Sequence, residues 1–156
     1  MFTDFFRRLT APSPAPLPPL DARRALGALL VRIAKSDNSY AVEEIARIDR
    51  ILASRFGLNP VEAARLRAEC EAIEREAPDT VRFTRAIKEA VAYEDRAGVI
   101  EALWDVVLAD GVRDADENAL LRMVAPMLGV SDQDSARARH KVEALRGLPM
   151  DRDDDA

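Results

Sequence analysis

The chain has one cysteine, Cys70, and one histidine, His140, among its 156 residues. A single thiol excludes an internal disulfide and fits a reducing compartment. A single histidine excludes a histidine-rich metal site and, on an apolar-striped chain with no nearby nucleophile motif, leaves Cys70 with His140 as the sole thiol–imidazole pairing to consider. Both residues have plainer readings. Cys70 sits on an apolar stripe and reads as a small core residue, while His140, between Arg139 and Lys141, reads as solvent-facing. Aromatics make up only 5% of the chain, and the six glycines, at 27, 57, 98, 111, 129 and 147, form neither a P-loop nor a dinucleotide fingerprint. Positive charge is dispersed: the net charge is −5, and no basic block supplies the footprint of a nucleic-acid binder. No run approaches the roughly 20 apolar residues of a membrane span. The start, "MFTDFFRRLT", lacks a secretory apolar region, so a cytoplasmic location is expected.

What the sequence has in quantity is alanine, leucine and arginine, which favour helices. Its length suits one domain with a real core. From Asp21 onward the apolar period is helical: Leu26, Leu29, Leu30 and Ile33, then Ile45, Ile48, Leu52 and Phe56, then Ala63, Leu66, Cys70 and Ile73, then Phe83, Ile87 and Val91. Val99 to Leu108 is apolar nearly all round, predicting a central buried helix with Trp104 in the core. Leu121, Val124 and Leu128 give a sixth stripe, and Val142 with Leu145 a seventh. Asn59-Pro60 with Glu62 spells a helix start, as does Ser131 with Asp134, and Gly57 and Gly129 suit helix ends. No strand-like alternation competes, so the expected fold is an all-α bundle of about seven helices.

The expected domain covers residues 21–147. Residues 1–20 form an arm with Phe2, Phe5, Phe6 and Leu9 at helical spacing, followed by the linker "APSPAPLPPL". Residues 148–156 form an acidic tail, expected to be frayed.

Within the domain a weak repeat is visible. "LLVRIAKSDNSYAVEEIARIDRILASRFGLNP" lies over "ALWDVVLADGVRDADENALLRMVAPMLGVSD", matching Asp37 to Asp110, Asn38 to Gly111 and Glu44 to Glu117. Each copy reads helix, acidic turn, helix, glycine stop, capped helix, a pseudo-repeated helix-turn-helix unit. The turns are not EF-hand loops: from Asp110 the glycine comes second, where that loop needs it sixth. Helix capping explains much of the second turn. Gly111 suits a left-handed helix end, and Asp114 with Glu117 has the spacing of a capping box. In the first turn Ser39 suits a cap, with Glu43 and Glu44 behind it. Capping leaves Asp37 and Asp110 unexplained, because a carboxylate near a helix C-terminus faces the negative dipole end. A hard cation held by Asp110 and Glu117, with Asp37 and Glu44 as the counterpart set, would turn that cost into a gain.

An apolar helix ending in "LADG", a glutamate seven residues after the aspartate and a second apolar helix ending in glycine, duplicated in an all-helical chain, resembles the TerB-like tellurite-resistance family. The likeness spans about residues 22–146. It implies an all-helical domain of about seven helices tied to tellurite and other stress responses, with acidic side chains that bind divalent cations and no established enzymatic activity. Carried over by position, the metal-site residues are Asp110, Glu117, Asp37 and Glu44. The first copy departs from the pattern, with Asn38 in place of the glycine and Ala41 where the second has Asp114.

Two function classes follow. One is a non-enzymatic, stress-response domain holding a divalent cation (calcium, magnesium or manganese) and no other cofactor. The other is a protein-interaction module that binds a protein partner or itself through its helical faces and arm. In that second class residues 1–9 either dock on protein or lie weakly at a membrane surface. Carboxylates alone can support acid–base chemistry, but no spacing here marks a substrate pocket, so no enzyme is expected.

Overall fold

The computed structural model describes residues 21–36, 40–77, 79–109 and 115–147, with the side chains of 115–117 left out. The expected arm, linker and acidic tail lie outside these residues, as do Asp37, Ser39, Asp110, Gly111 and Asp114.

Seven α-helices and no strand occur among the described residues: α1 (Ala22–Ala34), α2 (Val42–Phe56), α3 (Pro60–Glu76), α4 (Val81–Ala90), α5 (Arg96–Val107), α6 (Ala115–Met127) and α7 (Asp132–Arg146). A 3-10 turn, Tyr93–Asp95, leads into α5. The fold is the expected all-α bundle.

Its starts and stops follow the local chemistry. Asn59 accepts from the Glu62 amide at 2.8 Å while the Glu62 carboxylate accepts from the Asn59 amide at 3.0 Å, the reciprocal box that opens α3. Ser131 Oγ accepts from the Asp134 amide to open α7. Gly57 and Gly129 take φ of 63° and 76°, the left-handed conformation that ends a helix without a side-chain penalty.

The repeat shows in the packing. In the first half α1 packs most extensively on α3, and in the second half α5 packs most extensively on α7. The two inner helices, α1 and α5, touch each other, and α4 bridges the halves by packing on α1 and α6. As expected, α5 is central: Leu103 is fully buried and Trp104 is 3% exposed. It shares that place with α1, whose buried residues run all round the helix from Ala25 to Ala34. The leucine stripe was legible in the sequence. The opposite face sets Val31 among Ala25, Gly27, Ala28 and Ala34, small residues that let neighbouring helices approach. At Gly27 the approach is extreme: a Cβ there would sit 2.2 Å from Cys70 Sγ.

Two expectations for α7 need correction. Leu145 is 79% exposed and is not part of the core stripe. The buried face runs instead through Ser135, Ala138, Arg139, Val142 and Glu143, so polar residues carry the helical period and hide it from an apolar count. His140 is half-buried rather than solvent-facing. Beside it Arg139, 4% exposed, lies 5.1 Å over the Trp104 ring, and the indole Nε1–H donates to Ser135 Oγ at 3.2 Å. A guanidinium on the most electron-rich aromatic face compensates part of its desolvation.

Candidate functional site

The first turn leaves α1 at Ala34. Ser36 tightens the helix end, with its amide at 3.2 Å and its hydroxyl at 2.8 Å from the Ile33 carbonyl oxygen. The chain is described again at Tyr40, and the residue preceding α2 is Ala41, in extended conformation. This corrects the cap expected of Ser39: α2 starts later, behind a residue whose side chain accepts no hydrogen bond. The glutamate half of the box is nevertheless formed. Glu44, at the third helical position, accepts from the Ala41 amide through Oε1 at 3.2 Å and is only 3% exposed. Tyr40 is half-buried, and burial together with the facing Glu71 carboxylate raises the pKa of its hydroxyl.

The second turn leaves α5 at Val107, with the Leu108 amide on the Trp104 carbonyl at 2.9 Å and the Ala109 amide on Val106 at 3.1 Å. The chain resumes in α6 at Ala115, which makes Glu117 the third helical residue, the register that Glu44 occupies in α2. The aspartates match too: Asp37 is three residues past the last residue of α1, and Asp110 three past the last residue of α5. Of the four predicted site residues, Glu44 is thus placed with its side chain and Glu117 by backbone register. Asp37 and Asp110 lie outside the described residues. Among the described residues no group of three or more acidic, histidine or cysteine side chains gathers at one point.

One residue was missed by the sequence comparison. Asn118, next to Glu117, is 8% exposed, and its Oδ1 is buried with no hydrogen-bond donor among the described residues. Its repeat equivalent is Ile45, so the pairing of the two copies gave no signal for it. An amide oxygen withdrawn from water and unmatched costs free energy, and hard cations accept such oxygens as ligands.

The thiol takes no part. Cys70 is buried against α1, its Sγ 3.7 Å from the Arg24 carbonyl oxygen, and burial pushes its pKa up to about 12. A group held as the neutral thiol is a poor nucleophile. No helix among the described residues is long and apolar enough to cross a membrane.

No curated protein and no solved structure matches the chain. The family model described as tellurite resistance protein TerB matches residues 23–140, a span that begins in α1, ends in α7 and takes in both turns. The chain therefore belongs to the TerB family.

Proposed function

We propose that this chain is a non-enzymatic domain of the tellurite and stress response that binds a divalent cation at its acidic inter-helix turns. Asp110 and Glu117 form the principal ligand pair and Asp37 with Glu44 the counterpart. The observation that carries this function is the shared register. Each glutamate holds the third position of its helix, seven residues after an aspartate that follows a helix end, and Glu44 is fixed there by the Ala41 amide. A carboxylate held before the ion arrives loses less side-chain freedom on binding it. The positive dipole end of the helix alone already favours a glutamate in its first turn, but the aspartates stand at the wrong pole for that explanation. Asn118 Oδ1, buried beside Glu117, offers a neutral oxygen of the kind calcium, magnesium and manganese accept.

Isothermal titration of the full chain with each of these three ions tests the proposal. Saturable binding of at least one is expected, weakened in Asp110→Asn more than in Glu44→Gln. No heat from any of the three, or equal affinity in the wild type and Asp110→Asn, would refute it.

A further inference from the structure

The helices α2, α5 and α7 enclose a cleft of about 360 Å³. Its wall carries Arg47, Arg50 and Arg55 from α2, with Glu101 and Asp105 from α5. Arg146, in the last turn of α7, reaches the same wall and hydrogen-bonds Asp105. Arg47 Nη1 lies 3.7 Å from the same carboxylate oxygen, so one acid serves two guanidiniums. The other acid is already engaged, because Lys141 Nζ donates to Glu101 at 3.1 Å. Arg55 is turned onto the Gly98 carbonyl. Among the described residues four guanidiniums and an ammonium therefore meet two carboxylates, in a protein whose net charge is −5.

Such a local excess is held against its own repulsion. Burial lowers the pKa of Arg47 and the neighbouring Arg50 lowers it further. Burial, then Arg47 and Arg50, push Arg146 down to about 10. A multiply charged anion would relieve that strain, and the planar guanidinium fork matches the oxygens of a phosphate. The floor is apolar, with Ile51 6%, Ala102 2% and Val142 5% exposed, and Leu145 stands over it at 79% exposure. The volume falls at the small end of the clefts that take small molecules, roughly 300–1,000 Å³. It suits an anion with an organic body better than a polymer, and positive charge confined to one cleft gives no track for a nucleic-acid backbone.

We propose that this cleft binds a phosphorylated small molecule, its phosphate held by Arg47, Arg50 and Arg146 and its body laid against Val142 and Leu145. None of the residues that line it belongs to the acidic turns, and it takes the opposite charge. Leu145, out of phase with the core of α7, then has a use at the mouth of the cleft.

The test is calorimetric titration of the full chain at low salt with pyrophosphate and with adenosine monophosphate, beside vesicles of phosphatidylglycerol. Saturable binding of both soluble probes is expected. Arg50→Gln, at an exposed position, should keep the melting temperature and weaken pyrophosphate by about tenfold, the loss of a charge-assisted hydrogen bond. Asp105→Asn should strengthen pyrophosphate binding whatever it does to stability, because it removes the competing carboxylate. A purely structural cluster would not respond in that direction. The proposal is overturned if neither soluble probe binds, if only vesicles do, or if Arg50→Gln binds pyrophosphate as the wild type does.

Discussion

The first half of the domain (α1 to α3) and the second (α5 to α7) both pack their first helix most extensively on their third, yet those two interfaces are built from different materials. In the first half small residues bring the backbones together, with Gly27 against Cys70, and ions seal the ends. Arg32 donates to Glu74 Oε2 at 3.1 Å and caps the carbonyls of Glu74 and Ala77 at 3.0 and 2.9 Å, while Lys35 reaches Glu74 Oε1 at 2.8 Å. In the second half one large ring, Trp104, fills the space between α5 and α7, with Ser135 at its nitrogen and Arg139 over its face. What is duplicated is the backbone frame and the register of the turns, and packing is free to differ as long as each core is filled.

The sharpest break of this comparison is Trp104→Ala. It should destabilise by ~3–5 kcal/mol, the range for deleting a buried large aromatic, as read in chemical denaturation. A loss below about 1 kcal/mol would mean that the second half does not depend on the ring.

Next in size is Gly27→Ala, which should cost ~1–3 kcal/mol by overpacking despite the better helix propensity of alanine. The clash is with a sulfur, so in a Cys70→Ala background the same change should cost much less. A double-mutant cycle in which the two changes simply add would show that α1 and α3 do not meet there as closely as described.

Glu74→Gln should have the smallest effect of the three, ~1 kcal/mol at neutral pH, since the amide keeps acceptors but loses charge. Burial alone would raise the Glu74 pKa, but hydrogen bonds from Lys35 and Arg32 outweigh it and hold the carboxyl below its ordinary value of 4.5. A carboxylate with a depressed folded pKa contributes its stability above the unfolded value and loses it as pH falls through the folded one. The difference between wild type and Glu74→Gln should therefore be constant above about pH 5 and shrink below 4.5. A difference that grows on acidification would contradict the ion network.

Much of this was legible in the sequence, for identifiable reasons. Helix number, the caps at Asn59 and Ser131 and the glycine stops at Gly57 and Gly129 are local chemistry, written within a few residues. The core position of Trp104 followed from an apolar run too continuous for a surface helix. The second face of α1 was not legible, because alanine and glycine carry no strong hydrophobic signal and their use is set by what packs on them. Nor was the inner face of α7, where Arg139 and Glu143 are buried with a side-chain separation of 3.6 Å and polar letters mask the period. At the turns, the register of Glu44 and Glu117 could be read from the duplicated spacing. Asn118 could not, because its burial depends on tertiary contacts and its counterpart in the repeat is apolar. The arginine cleft was equally hidden, since Arg47, Arg50 and Arg146 come together only when α2 and α7 pack around α5.

Cation binding at the turns is read out by thermal melting of the wild type and of Asp110→Asn, each with and without millimolar calcium, magnesium or manganese. A ligand that binds only the folded state must raise its melting temperature, by roughly 2–4 °C for each kcal/mol of linked stabilisation in a domain of this size. At least one ion should raise the wild-type midpoint, Asp110→Asn should abolish the rise, and without metal the variant should melt at the same temperature or slightly higher because a carboxylate no longer opposes a helix dipole. A wild-type midpoint indifferent to all three ions would contradict cation binding and leave the acidic turns as helix caps alone.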